Sequence, residues 1–184
     1  GLSMFFAALG AVAAMWLAPR VDAGLGARAM QGCAIALGLA FLLPGLASGL
    51  VFFTIGMLLA SAASGSLDVI MNLRISAIEA RSGRSLMNLN HALFSFAYAG
   101  AAIVAGMFRE AGYAPLTVFT LRLAVTLVMT PMMYHVLAPA EEDESAANAR
   151  LKTGLVVLGG FIILIAFLTE QATEAWSALH LERG

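Results

Sequence analysis

The polar and ionisable side chains that could do chemistry cluster in residues 65–95, which read GSLDVIMNLRISAIEARSGRSLMNLNHALFS inside an otherwise apolar chain. Ionisable groups are costly at membrane depth, so by default they mark a pathway or a coupling site. A carboxylate, amides and an imidazole could bind a solute or carry a proton there. The candidate pathway residues in this passage are Asp68, Asn72, Asn90, His91 and Ser95.

The spacing of these residues predicts a polar stripe along one helix. Asp68 and Asn72 are four residues apart and share a helix face, and Glu79, eleven residues on from Asp68, is nearly in line. Asp68 can be interpreted as a proton- or substrate-binding carboxylate or as part of a structural hydrogen-bond network. The arginines available for such a network are Arg74, Arg81 and Arg84. For Glu79, nearer the membrane interface, we expect a structural role.

Two further basic side chains have open interpretations. His91, at the start of the next helix, could be protonated near neutral pH and carry a coupled proton, or it could cap or hydrogen-bond a neighbouring helix, which is the commoner role. Ser95, four residues on, shares its face. Arg122 lies within a predicted span, about 10 Å from Pro115 at the helical rise, so we expect it to snorkel to the outer surface rather than meet a buried partner.

The composition of the chain predicts that these residues lie in a membrane protein. The 184 residues are 61% hydrophobic and 11% charged, and the mean hydropathy is +0.90. Residues 29–67 contain 39 consecutive positions without Asp, Glu, Lys or Arg, and one span needs about 20 residues. This run therefore holds two helices and a turn.

Several classes of function have no support in the sequence. A net charge of −1 provides no basic face for nucleic acid. The lone Cys33 has no partner for a disulfide or a zinc site, and we expect it to pack as a small core residue. No GxSxG, HExxH or Walker motif is present, so we predict neither an enzyme nor a cofactor or metal.

The apolar runs predict an all-α bundle of about six transmembrane helices. Their approximate bounds are residues 2–19, 29–43, 50–80, 86–108, 116–137 and a last span that begins near 153. Loops one, three and five carry seven of the lysines and arginines, whereas the other loops and the C-terminal end carry two. The excess of basic residues places the odd-numbered loops in the cytoplasm.

Three passages resemble the major facilitator superfamily, in particular its fucose-permease-like bacterial branch. The GxxDxxMN run of residues 65–72, the following Arg-rich turn and the HxLFS-like start at His91 look like the branch's fourth helix, loop and fifth-helix start. APRVDAGLGAR (18–28) is similar to the DRxGRR loop between helices two and three, with Asp22 present and Ala23 and Ala27 in place of basic residues. LTEQATEAWSALHL (168–181) looks like the seventh helix.

The resemblance implies a partial major-facilitator fold, a fragment matching helices two to seven of twelve. Residues 1–138 would be the rest of the N-terminal helix bundle, 139–152 the cytoplasmic linker between the halves, and 153–184 the first helix of the C-terminal bundle. Glu170 would line the pathway. The residues with an implied structural or gating role are Asp22, Arg28, Glu79, Arg81 and Arg84.

The implied function is secondary active transport by alternating access, as a symporter or antiporter coupled to an ion or proton. The expected partners are a small solute such as a sugar, a drug or a metabolite, the coupling ion and the lipid bilayer. The expected location is the bacterial inner membrane, as a multi-pass protein. Two alternatives remain at this point: an intramembrane enzyme with Asp68 and His91 as an acid–base pair, and a non-transporting membrane scaffold.

Overall fold

The computed structural model describes residues 2–134, and every regular element among them is helical. The predicted linker, the sixth span and Glu170 lie outside these residues. The described helices are α1 (Leu2–Leu25), α2 (Ala29–Ala40), α3 (Leu42–Leu46), α4 (Leu50–Ser82), α5 (Leu86–Glu110) and α6 (Pro115–Tyr134), and the 3₁₀ turn Gly26–Arg28 joins α1 to α2. The prediction of an all-α bundle is confirmed.

Four helical stretches of the described chain are long and apolar enough to cross a membrane. They are Ser3–Leu46, Leu50–Ser82, Leu86–Glu110 and Pro115–Tyr134. The first is 44 residues long, about twice what one crossing needs. The chain reverses within it at Gly26, whose φ of 51° is a left-handed conformation that glycine adopts without steric cost.

Helix α1 extends six residues beyond its predicted end at residue 19. Pro19 lies inside the helix, which ends at Leu25. Proline is tolerated in membrane helices because neighbouring helices and local adjustments satisfy the freed backbone groups. The extension places Asp22 on the last turns of α1 rather than in a loop. At the other predicted boundaries α4 runs on to Ser82 and α5 to Glu110.

Helices α1 and α4 lie side by side and run in the same direction. Ser3 and Thr54, near the start of each helix, share a hydrogen bond between their hydroxyl oxygens at 3.0 Å. Toward the other end Arg74 Nη2 lies 2.6 Å from Asp22 Oδ1. The two contacts join residues separated by nearly equal distances in sequence, 51 and 52 positions, as a parallel pair requires.

Small residues allow the backbones of α1 and α4 to approach closely. A Cβ atom added to Gly65 would lie 2.8 Å from the Cβ of Ala14, and one added to Gly10 would meet the carbonyl oxygen of Leu58. Gly65 belongs to a small-residue pair with Ser61 at helix-packing spacing. The similar pair of Ala102 and Gly106 has no such role in the described residues, because a Cβ at Gly106 would meet nothing within 4 Å.

Helices α2 and α3 together run opposite to α4. Cys33 of α2 packs with Ile70 in the buried core, whereas Pro44 of α3 contacts α4 earlier, at Gly56, where an added Cβ would lie 2.7 Å from the proline Cδ. Residue numbers therefore rise along α2 and α3 in the direction in which they fall along α4. The chain therefore passes back and forth, as the predicted spans require.

Helix α6 packs against the outer side of α2 and α3, again in the opposite direction. Gln31 Nε2 donates to the backbone carbonyl of Thr130 at 3.0 Å, and a Cβ at Gly45 would lie 3.2 Å from Leu116 Cδ1. Helix α5 has no buried residue within the described part of the chain. It is positioned mainly by its connection to α4. The polar residues of the candidate site lie on α4 and on the first turns of α5.

Candidate functional site

Glu79 binds the start of the following helix. Its Oε2 accepts hydrogen bonds from the backbone N–H groups of Leu86 and Met87, both at 2.7 Å. The first N–H groups of a helix have no partner within the helix, and a negative charge is favourable there. The turn at Gly83, with φ 64°, reverses the chain and brings the carboxylate over α5. Glu79 thus caps a helix in this structure.

Asp22 and Arg74 form an ion pair between α1 and α4. Arg74 Nη2 donates to Asp22 Oδ1 at 2.6 Å and to the carbonyl oxygen of Gly26 at 2.7 Å. The Arg74 side chain is 7% exposed and that of Asp22 is 35% exposed. Arg74 therefore ties α4 both to the end of α1 and to the turn that follows it.

The sequence does not predict this pairing, since its spacing suggests Arg74 only as a partner for Asp68. A signal was present: Arg74 is the one basic residue within the predicted span 50–80, and an arginine at membrane depth needs a partner. What the sequence does not show is that α1 and α4 run parallel. Only that direction brings Asp22, 52 residues earlier, to the level of Arg74.

Asp68 lies on the face of α4 opposite the packed one. Ser66, Ile70 and Arg74, at four-residue intervals, are buried against α1 and α2, whereas Asp68 is exposed, as is Ser64 one turn before it. Within residues 2–134 the Asp68 carboxylate makes no hydrogen bond or ion pair. None of the three arginines considered as structural partners contacts it.

The level of Asp68 can be measured from the turn between α1 and α2. Arg74 bonds to the Gly26 carbonyl and so lies level with this turn. Asp68 is six residues earlier on α4, which is about 9 Å at the helical rise. Counting the 13 residues from Asp68 to Arg81 instead gives about 20 Å at the helical rise. The two values differ because α4 extends past the level of this turn before it ends at Ser82.

Two amide side chains among the candidate residues each have a buried atom without a hydrogen-bond partner in the described part of the chain. These atoms are Oδ1 of Asn72 on α4 and Nδ2 of Asn90 on α5. One is an acceptor and the other a donor. A buried unpaired polar group costs about 1–3 kcal/mol, so each position favours the binding of a further polar group.

His91 and Ser95 are exposed along α5. Ser95 Oγ donates to the backbone carbonyl of His91 at 2.9 Å, so its hydroxyl is satisfied within its own helix. No hydrogen bond joins the His91 imidazole to Asp68 among the residues described. The enzyme alternative needs these two side chains within hydrogen-bond reach, and this geometry does not supply that contact.

The remaining predicted basic residues lie at the surface or against an aromatic ring. Arg28 ends the 3₁₀ turn and is exposed, as are Arg81 in the last turn of α4 and Arg84 in the connection to α5. The Arg122 guanidinium lies 4.2 Å from the centre of the Phe41 ring, a cation–π contact between α6 and the end of α2. Arg122 thus has a partner within the bundle. Within residues 2–134, no cluster of three His, Cys, Asp or Glu side chains could hold a metal ion.

Comparison with known proteins gives one informative similarity. No protein-family model and no solved structure matches the chain. An uncharacterised MFS-type transporter of Yersinia pestis is 28% identical over 188 residues, covering 98% of this chain and 48% of that protein. The chain therefore spans about half the length of the curated relative it matches. The chain is thus similar to a transporter of the MFS type, and its apolar helices indicate a multi-pass integral membrane protein.

Proposed function

We propose that this chain forms part of a secondary active transporter of a small solute, with Asp68 in its pathway. The observation that carries the proposal is the distinct use of three candidate carboxylates. Asp22 is paired with Arg74 and Glu79 caps α5, whereas Asp68 has no partner among the described residues. An unpaired carboxylate within a span needs water, a solute or an ion nearby, because lipid alone would make its charge prohibitively costly.

Two amides extend the proposed pathway. Asn72 has an unpaired acceptor atom and Asn90 an unpaired donor atom, both buried among the described residues. Either atom would have to become accessible during alternating access to pair with a hydroxyl-rich solute such as a sugar or a polar metabolite. Asp68 would bind the coupling proton or ion, with His91 on α5 as a second candidate for this role. Such a site would serve either uptake or efflux of the solute. The movement of the solute would be coupled to that of the proton or ion by symport or antiport.

The Asp22–Arg74 pair has a separate proposed role. It joins α1, α4 and the turn between α1 and α2 into one rigid unit, so that the bundle could move as a body during alternating access. The exposed Arg28, Arg81 and Arg84 lie in or next to the connections on the same side, which the distribution of basic residues places in the cytoplasm. These residues would act in gating or structure, and not in solute binding.

A transport assay in proteoliposomes tests the proposal. The protein is reconstituted with the native sequence that flanks this chain, and a pH gradient is applied while a panel of radiolabelled monosaccharides and the efflux probe ethidium is screened. For any probe that accumulates, Asp68→Asn should abolish gradient-driven accumulation but leave exchange without a gradient measurable. Ser76→Ala, another exposed position on α4, is the matched control. Equal accumulation by Asp68→Asn and the parent would remove Asp68 from the coupling mechanism.

A further inference from the structure

An apolar groove lies between α1, α2 and α4, on the side away from Asp68. Its volume is about 290 Å³, and its lining includes Leu17, Val21, Leu25, Cys33, Ala36 and Ala63. The groove exists because small residues occupy the places where larger side chains would fill the space between the helices. Gly32 packs closely against Leu25, since a Cβ there would lie 2.9 Å from Leu25 Cδ1.

The shape and chemistry of the groove limit what can occupy it. From Leu17 to Leu25 it follows α1 for eight residues, which is about 12 Å at the helical rise. Another helix, with a diameter of about 10 Å, is too thick to enter a space of this volume. Water is disfavoured because apolar cavities stay dry. A single hydrocarbon chain fits the length, the narrowness and the apolar lining.

A positive charge lies in the turn that connects two lining residues of the groove, Leu25 and Gly32. Arg28 is three residues after Leu25 and four before Gly32, and it is exposed. Its guanidinium has no hydrogen bond or ion pair among the residues described. The bias of basic residues places this turn on the cytoplasmic side, where the leaflet is rich in anionic lipids, and basic pockets between helices on that side bind anionic head groups.

We propose that this groove is a binding site for an anionic phospholipid of the cytoplasmic leaflet. One acyl chain lies in the groove between α1 and α2, and the phosphate binds Arg28. The site is separate from the proposed solute pathway, since no groove residue is among the candidates on the Asp68 face. A failure to bind lipid would therefore not contradict the transport proposal. A failure of the transport assay would likewise not contradict the lipid site.

Native mass spectrometry of the purified protein in non-ionic detergent tests the site. Dioleoyl phosphatidylglycerol should bind in preference to dioleoyl phosphatidylcholine, and glycerol phosphate, the head group without a chain, should not bind. Arg28→Gln should reduce phosphatidylglycerol binding about fivefold and remove the preference. The matched control is Arg109→Gln, at the C-terminal end of α5. It should change neither the binding of phosphatidylglycerol nor the preference for it over phosphatidylcholine. Equal binding of the two phospholipids by the parent protein would overturn the proposal.

A second pair of measurements tests the groove itself. Ala36→Trp should fill it and abolish the phosphatidylglycerol adduct, whereas Ala101→Trp, on the exposed surface of α5, should not. A change of oligomeric mass in Ala36→Trp alone would instead identify a second copy as the occupant and refute the lipid site. Should Ala36→Trp not fold, phosphatidylglycerol with a diazirine in its acyl chain can be photo-crosslinked to the parent protein. Crosslinks in residues 17–36 and 62–66 support the site, and crosslinks confined to other helices refute it.

Discussion

Removing Asp22 should destabilise the bundle more than removing Arg74, although either change breaks the same ion pair. The Arg74 side chain is 7% exposed and that of Asp22 is 35% exposed. Asp22→Ala leaves a buried guanidinium whose Nη1 already has no partner among the described residues. Arg74→Met leaves a carboxylate that water can reach, and its apolar side chain suits the buried position. The direction of the difference therefore follows from the burial of the partner that remains.

The expected magnitudes lie between the limits for buried and exposed pairs. An uncompensated buried charge costs about 3–5 kcal/mol, and an exposed pair is worth about 0.2–1 kcal/mol. Arg74 keeps its bond to the Gly26 carbonyl after Asp22→Ala, which lowers the cost. We expect a loss of about 2–3 kcal/mol for Asp22→Ala and about 1–2 kcal/mol for Arg74→Met.

Reversible unfolding by SDS in mixed micelles, followed by far-ultraviolet circular dichroism, measures these free energies. The double variant completes a thermodynamic cycle, for which we expect a coupling energy of about 1–2 kcal/mol. Arg81→Met, at an exposed position without a partner in the described chain, should change the stability by less than about 0.5 kcal/mol. A cost for Asp22→Ala equal to or below that for Arg74→Met, or a coupling energy near zero, would refute the reasoning.

Two further predictions concern the ends and the packing of α4. Glu79→Ala should lower the free energy of unfolding by about 1 kcal/mol, as the loss of a helix cap does. Hydrogen exchange at the amide of Leu86 should become faster, and unchanged exchange there would contradict the capping role. Gly65→Val should lower the free energy of unfolding by about 1–3 kcal/mol through overpacking, because an added Cβ would lie 2.8 Å from that of Ala14. Gly106→Val should cost far less in the same assay, because a Cβ there would meet nothing within 4 Å. Equal losses would exclude the close approach of α1 and α4 as the cause.

The membrane helices could be predicted from the sequence because their cause is local. A span needs about 20 apolar residues whatever it packs against, and the turn between α1 and α2 is marked by glycine. The end of α1 could not be placed, because the effect of Pro19 depends on the neighbours that satisfy the freed backbone groups. Pairs of small residues likewise indicate that two helices could pack closely, but they do not show which helix lies against each pair. Gly65 lies against α1 and Gly106 meets no neighbour in the described bundle, although the spacing of the two pairs is the same.

The candidate site was predicted in part, for a related reason. The four-residue spacing of Asp68 and Asn72 fixes their shared face without reference to any other helix. The partner of Arg74 depends on the relative direction of two helices, and the hydropathy of each helix alone does not contain that information. The capping contact of Glu79 depends on the backbone of the turn at Gly83, which sets where α5 begins relative to the carboxylate.

The two faces of α4 explain why one carboxylate is left without a partner among residues 2–134. Arg74 is six residues after Asp68, which places it about 120° away around the helix at 3.6 residues per turn. The face with Arg74 is covered by α1 and α2, and it satisfies its charge with Asp22 and the Gly26 carbonyl. Asp68 therefore cannot reach Arg74, and the packed face has no further charge to offer it. A carboxylate at that depth needs water or a polar partner on its own side, and we therefore propose that the solute pathway lies along the face of Asp68.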